Sequence, residues 1–178
     1  MQIHDEKITV HQAKKIAIKI HGNQTDKLGV PYIAHVEDVA RRVAHLGTEY
    51  ELVGLLHDAL EDAPVDAQEA LLGELNNLFS KEVITAINSL TKRKPPRYQT
   101  KEDYFDAYLP RLVKSEMAKI VKIADSSHNL SKAHLIEDLD LQAKLRRKYI
   151  SVLNFLGVDG ISCERPLIFV NESWAEKP

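Results

Sequence analysis

The residues best able to do chemistry in this chain gather in one short stretch, Leu55-Leu56-His57-Asp58-Ala59-Leu60-Glu61-Asp62. On a helix turning about 100° per residue, positions 57, 58, 61 and 62 fall within about 140° of arc, so four ionisable side chains can address one point. Leu52, Val53, Leu55, Leu56, Ala59 and Leu60 would bury the rest of that helix. A carboxylate or imidazole beside an apolar core must be paired, protonated or bound to a cation, because leaving it charged and alone costs several kcal/mol. A metal ion would satisfy several such groups at once.

Two further stretches place a ligand-type residue on a mainly apolar helix: His35, one turn after Pro31, and Asp125, on the helix that begins near Ser115. With His57 and Asp58 they make two imidazoles and two carboxylates. Such a set suits a borderline divalent ion, Mn²⁺, Fe²⁺ or Zn²⁺, and with no thiolates it leans toward an octahedral ion keeping open positions. Hydrolysis needs an open position, since a divalent ion lowers the pKa of water enough to supply hydroxide near neutral pH for in-line attack on phosphorus. Taken singly, each residue is also what a satisfied polar group on a helix looks like. The weight lies in the combination.

That combination resembles the HD superfamily of metal-dependent phosphohydrolases, and within it the RelA/SpoT-type hydrolases that degrade (p)ppGpp alarmones. The similarity spans roughly residues 13 to 155. It is carried by Gly29-Val30-Pro31-Tyr32-Ile33-Ala34-His35, by His57-Asp58-x-x-Glu61-Asp62, by Leu90-Thr91-Lys92, and by Lys122-Ile123-Ala124-Asp125-Ser126-Ser127-His128-Asn129-Leu130. The resemblance implies that His35, His57, Asp58 and Asp125 hold one Mn²⁺, and that Glu61 and Asp62 orient or deprotonate the attacking water and help the leaving oxygen depart. It implies removal of the 3′-pyrophosphate from a guanosine nucleotide to give GDP or GTP, with Lys27, Tyr104, Asn129 and Arg146 as candidate substrate contacts. Such an enzyme would be a stand-alone small alarmone hydrolase, with no synthetase half.

The chain departs from the family pattern in places. Asp26 stands where relatives commonly carry Arg, Val36 replaces a Pro after His35, and the stretch from Lys94 to Tyr108 diverges most. Adenosine alarmones such as (p)ppApp, or nucleoside monophosphates, are the alternative substrates, and a non-catalytic alarmone binder is a third reading. Intact Glu61 and Asp62 speak against a pure binder.

The positioning elements follow from apolar spacing and end signals. Thr9 with Gln12 is a capping-box start for a helix ending near Gly22. Pro31 opens a second helix carrying Ile33, Val36, Val39, Ala40, Val43 and Leu46 as far as Gly47. A third is expected from Glu49 to Asp62, stopped by Pro64. Asp66 with Glu69 should start a fourth, and Ser80 a fifth that runs into the exposed Thr91–Arg97 loop with its basic cluster. Thr100 with Asp103 restarts a helix bent at Pro110, another begins near Ser115, and the last runs from about Asp140 to Leu156, ended by Gly157. No window alternates long enough for a half-buried strand, so the expected fold is all-α, an HD-type helical bundle over residues 1–157. Residues 158–178 are expected as an extension, with Leu167–Val170 a short strand or apolar strap and Asn171–Pro178 a mobile tail.

The chain's 178 residues, 44% hydrophobic and 28% charged, suit a single domain with one sizeable core. A formal charge of −2 gives no basic field for nucleic acid. The single cysteine, Cys163, permits neither an internal disulfide nor a thiolate cluster. With no signal-like N-terminus and no run of roughly 18 apolar residues, the expectation is a soluble cytoplasmic protein whose partner is a small nucleotide.

Overall fold

The computed structural model describes residues 2–92, 101–158, 167–170 and 173–176. Its helices are α1 (Gln2–His21), α2 (Tyr32–Val43), α3 (Thr48–Leu56), α4 (Ala59–Asp62), α5 (Gln68–Leu78), α6 (Lys81–Leu90), α7 (Lys101–Leu112), α8 (Glu116–Lys132) and α9 (Leu139–Phe155). Short 3-10 turns follow α2 at Ala44–Leu46 and α8 at Ala133–Leu135. The architecture is all-α, with one antiparallel hairpin among the described residues, β1 (Leu167–Val170) and β2 (Ser173–Glu176).

Two helices are buried on nearly every side, as a helix without a polar face must be. Leu52, Val53, Gly54, Leu55 and Leu56 of α3 are buried in succession, and so are Ile120 to His128 of α8. Helices α1, α2, α6 and α8 pack around α3, and α8 in turn contacts α2, α6, α9 and β1. The amphipathic α2 turns Val36, Val39, Ala40 and Val43 inward.

Several end signals act as read. The Ser80 and Ser115 hydroxyls accept from the main-chain N–H of Val83 and Ala118. Gly47 ends the α2 segment at φ 126°, a conformation open mainly to glycine. Other signals do not. Helix α1 runs through Thr9 from Gln2, so Thr9 caps nothing there. Ala67, not Asp66, occupies the N-cap of α5, with no side-chain cap. Thr100 and the loop residues Arg93, Lys94 and Arg97 lie outside the described residues, while Pro110 sits inside α7.

Two expectations are corrected. The single helix expected from Glu49 to Asp62 is two, α3 and the one-turn α4, because the chain leaves helical geometry at Asp58 (φ −108°, ψ −1°). At that break the His57 ring turns back and donates from Nδ1 to the carbonyl of Gly54 at 2.8 Å. Part of the tail expected to be mobile is β2, paired with β1 in the register Leu167↔Glu176, Ile168↔Ala175, Phe169↔Trp174 and Val170↔Ser173. Leu167 is buried in the helical core.

Gly54 lets α3 approach α2 closely: a Cβ there would lie 2.6 Å from the Cα of Ala40 and 3.0 Å from its nitrogen, both main-chain atoms. Gly54→Ala must push the two helices apart, and overpacking of this kind costs about 1–3 kcal/mol. Urea unfolding of the variant should show a loss of that size, and an unchanged midpoint would refute the close approach.

Candidate active site

Each ligand-type residue reaches the site because its element has one way to bury its apolar face. On α2, His35 sits beside Val36 and one turn before Val39, so it is carried inward with them, 3% exposed. His57 follows the buried run of α3, and Asp125 lies in the buried stretch of α8. His35 Nε2 is 3.3 Å from Asp125 Oδ1. His57 Nε2 is 3.1 Å from Asp58 Oδ2 and 4.0 Å from Asp125 Oδ1. Ligand atoms of His35, His57 and Asp58 all lie within 4.8 Å of one another.

These residues fit a divalent ion. The Nε2 atoms of His35 and His57 are buried without a hydrogen-bond partner, whereas both Nδ1 atoms are engaged, His57 with Gly54 O and His35 with His128 Nδ1, each at 2.8 Å. A ring that donates through Nδ1 leaves its Nε2 lone pair free for a metal. The two imidazole nitrogens and the Asp58 carboxylate make a donor set for such an ion, with Asp125 Oδ1 beside both nitrogens.

Without an ion, neighbouring charges do the compensating. Burial alone would lower the His57 pKa, but the Asp58 carboxylate outweighs it and pushes it up to about 9. Burial would raise both Asp58 and Asp125, yet His57 holds Asp58, and Lys122 with the two histidines holds Asp125, well below the ordinary carboxylate range. Lys122 Nζ donates to Asp125 Oδ2 at 2.6 Å. The Tyr32 hydroxyl, kept protonated by burial and by Asp58, donates to Asp58 Oδ2 at 2.5 Å.

Glu61 and Asp62 stand beside this cluster on α4 and differ in their surroundings. Lys92 grips Glu61 with its ammonium at 2.6 and 2.8 Å and with its main-chain N–H at 3.1 Å. Asp62 is looser, its Oδ2 lying 3.6 Å from His21 Nδ1. Burial and the Asp58 charge raise the Asp62 pKa.

All these groups except His57 and His21 line one cavity of about 330 Å³. Lys27 and Asn129 line it too, and Asn129 Nδ2 donates to Asp125 Oδ1 at 2.6 Å. Arg146 does not line it. One residue is about 100° of helix, and the face of α9 that meets the cavity carries Leu145, Lys148 and Tyr149. Tyr104 lies on α7, but its side chain is outside the described residues. Asp26, in place of a basic residue, turns its carboxylate to its own loop and accepts from the N–H groups of Leu28 and Val30 at 2.8 and 3.0 Å.

Tyr32, Lys122, Lys132, His21 and Lys148 were not singled out by spacing. A signal existed for Lys122, a lysine inside an apolar run three residues before Asp125. None existed for Lys148, whose pKa is lowered by desolvation and by the ammoniums of Lys122, Lys92 and Lys27.

No family model matches the chain. Among curated proteins it is 29% identical over 127 residues to the bifunctional (p)ppGpp synthase/hydrolase SpoT of Escherichia coli, covering 68% of this chain and 17% of that protein. It is 27% identical over 181 residues to the guanosine-3′,5′-bis(diphosphate) 3′-pyrophosphohydrolase of Aquifex aeolicus, covering 94% of the chain and 23% of the relative. The same-named protein of Haemophilus influenzae is 30% identical over 118 residues, 65% of this chain and 17% of its own length. The chain thus spans about a quarter or less of these relatives. A solved structure described as a metazoan ortholog of SpoT that hydrolyzes ppGpp and plays a role in starvation responses superposes with a TM-score of 0.68 at 19% identity, over 88% of this chain and 89% of that one. In sequence the chain is thus similar to part of these (p)ppGpp synthase/hydrolase and 3′-pyrophosphohydrolase proteins, and it shares the helical fold of the solved structure.

Because the Asp58 and Asp125 carboxylates favour the charged form of His57, an ion bound at its Nε2 would displace a proton. Affinity for a divalent ion should therefore rise with pH for as long as His57 stays protonated in the metal-free protein. Calorimetric titration at pH 7 in buffers of different ionisation enthalpy should find about one proton released per ion. Zero release would remove His57 from the ligand set.

Proposed function

We propose that this domain is a (p)ppGpp 3′-pyrophosphohydrolase, adding water to release pyrophosphate and leave GDP or GTP, and that the ion it uses is Mn²⁺. The observation that carries the reading is the acidic pair Glu61 and Asp62 standing beside a His/Asp cluster inside one cavity whose other wall bears Lys27, Lys92, Lys132 and Lys148. A bound divalent ion supplies Lewis acidity and lowers the pKa of water. His35, His57, Asp58 and Asp125 would hold it.

The remaining steps belong to the chain's own groups. Asp62, with a raised pKa and no ammonium gripping it, is the proton acceptor for the attacking water. Glu61 has both oxygens engaged by Lys92, so it anchors that ammonium at the cavity, where it meets phosphate oxygens. Lys27, Asn129 and Tyr104 remain proposed substrate contacts, and Lys148 takes the place on α9 expected of Arg146. Residues 1–157 would form the hydrolytic unit and 158–178 an extension to it. The proposed setting is the cytoplasm.

The base is a separate question. Asp26 spends its carboxylate on Leu28 and Val30 and offers no cation to a guanine or phosphate, which keeps adenosine alarmones among the candidate substrates.

Metal-stripped protein supplied with Mn²⁺ should convert ppGpp to GDP and pyrophosphate, resolved by ion-exchange chromatography, and EDTA should abolish the conversion. Parallel incubations with ppApp and with deoxynucleoside monophosphates read the base and the need for a 3′-diphosphate. Intact ppGpp after prolonged incubation would overturn the substrate assignment. Asp62→Asn should lower kcat by about 10²–10⁴ while bound metal stays near the wild-type level. Loss of metal in that variant would place Asp62 among the ligands instead.

A further inference from the structure

The contacts behind His35 do not end at His128. If His35 keeps Nε2 free for an ion, its Nδ1–H donates and His128 Nδ1, 2.8 Å away, must accept. The remaining nitrogen of His128, Nε2, then carries hydrogen and faces Asp38 Oδ2 at 3.4 Å. That same carboxylate oxygen accepts from Arg42 Nε at 2.7 Å. Arg42 is itself largely buried, and its NH1 donates onward to the carbonyl of Leu167 at 3.3 Å.

Leu167 is the first residue of β1, and its main chain is tied at both ends. Its N–H donates to Ser127 Oγ at 3.2 Å, on α8 immediately before His128, and Ser127 in turn donates to the carbonyl of Ala124 at 3.0 Å. Its side chain is 3% exposed in the helical core. The hairpin residue thus bridges α2 and α8 at the level where His128 and Asp38 meet, and a continuous set of polar contacts leads from it to His35.

We propose that the C-terminal hairpin is part of the machinery that positions His35, acting through Arg42, Asp38 and His128, so that docking of the hairpin sets the affinity of the site for a divalent ion. The proposal rests on the reading of His35 as a metal ligand. His128, Asp38 and Arg42 are positioning residues here, fixing the tautomer and ring angle of a ligand as groups behind metal-bound histidines do. Coupling is reciprocal: if the docked hairpin tightens the ion, the ion tightens docking. The protein carries its own reporter of that second half, because its single tryptophan, Trp174, lies on β2 and packs against the core.

The test uses the full chain with Mn²⁺ alone, titrated in competition with a fluorescent chelator, and diamagnetic Zn²⁺ for the Trp174 emission. Arg42→Leu and His128→Leu should each weaken Mn²⁺ binding by about 10–100-fold. His128→Asn should recover much of that loss, because its amide oxygen can accept from His35 Nδ1, a rescue that a mere packing role would not give. Leu167→Glu should weaken binding alone, but add little on top of Arg42→Leu if both act through one route. Zn²⁺ should blue-shift Trp174 emission in the wild type and not in Arg42→Leu. His35→Ala separates the two levels of the argument. If it binds Mn²⁺ as the wild type does, the metal reading falls. If it loses Mn²⁺ while Arg42→Leu and His128→Leu stay within about twofold of the wild type, only the coupling to the hairpin is refuted.

Discussion

Two imidazole nitrogens, His35 Nε2 and His57 Nε2, lie buried without a hydrogen-bond partner against the carboxylates of Asp125 and Asp58. A protein interior does not hold such groups without compensation, and much of the surrounding structure can be understood as supplying it. Tyr32 donates to Asp58, Lys122 to one oxygen of Asp125 and Asn129 to the other. Each donor comes from the start of α2 or from α8, so the helices that bury the core also carry the counter-charges. The break between α3 and α4 serves the same end. His57 can aim Nε2 at the carboxylates only because its Nδ1 is taken by the carbonyl of Gly54, three residues back.

The buried His/Asp cluster was legible because metal chemistry restricts residue types, and His57-Asp58, His35 and Asp125 each sit in an apolar context where a polar residue needs a reason. The break at Asp58 was not legible. Apolar spacing continues through it, with Leu56, Ala59 and Leu60 all buried, and what ends the helix is a side chain folding back onto the main chain, which periodicity does not record. Thr9 and Asp66 failed as caps because a capping pattern is local and says nothing of the packing that decides where a helix starts. Of the hairpin, β1 was legible as a short strand or strap, whereas β2 escaped notice because four residues are too few for alternation to show. Arg146 was set aside by the phase of α9 alone, which brings Leu145, Lys148 and Tyr149 to the cavity.

The cavity is lined by both signs of charge. Besides the carboxylates and histidines, lysines from the loop before α2, the end of α6, α8 and α9 line it. Lys92 and Lys122 are already paired with Glu61 and Asp125, whereas Lys27, Lys132 and Lys148 have no ion pair among the described residues. The Lys148 pKa is lowered first by burial and then by repulsion from the ammoniums of Lys122, Lys92 and Lys27. An anion carrying more than one phosphate relieves that repulsion, while a monophosphate held at the histidines would leave it standing. This is the charge balance behind the proposal of a nucleotide with separated phosphate groups as substrate.

Asp26 bears on the same balance. Its carboxylate accepts from Leu28 and Val30, its N–H donates to the carbonyl of Val30 at 2.8 Å, and Thr25 bridges to Pro31, with Gly29 at φ 76° closing the turn. The loop that carries Lys27 to the cavity is thus stiffened from within, immediately before Tyr32 starts α2 and reaches Asp58. An arginine here would add a cation but could not accept those two N–H groups. The acid exchanges a direct substrate contact for a rigid approach, and it leaves Lys27 as the one cationic side chain that this loop presents to the cavity. Under the proposed function, discrimination between bases must then come from elsewhere in the cavity wall, where Tyr149 and Ile136 are apolar surfaces near α9.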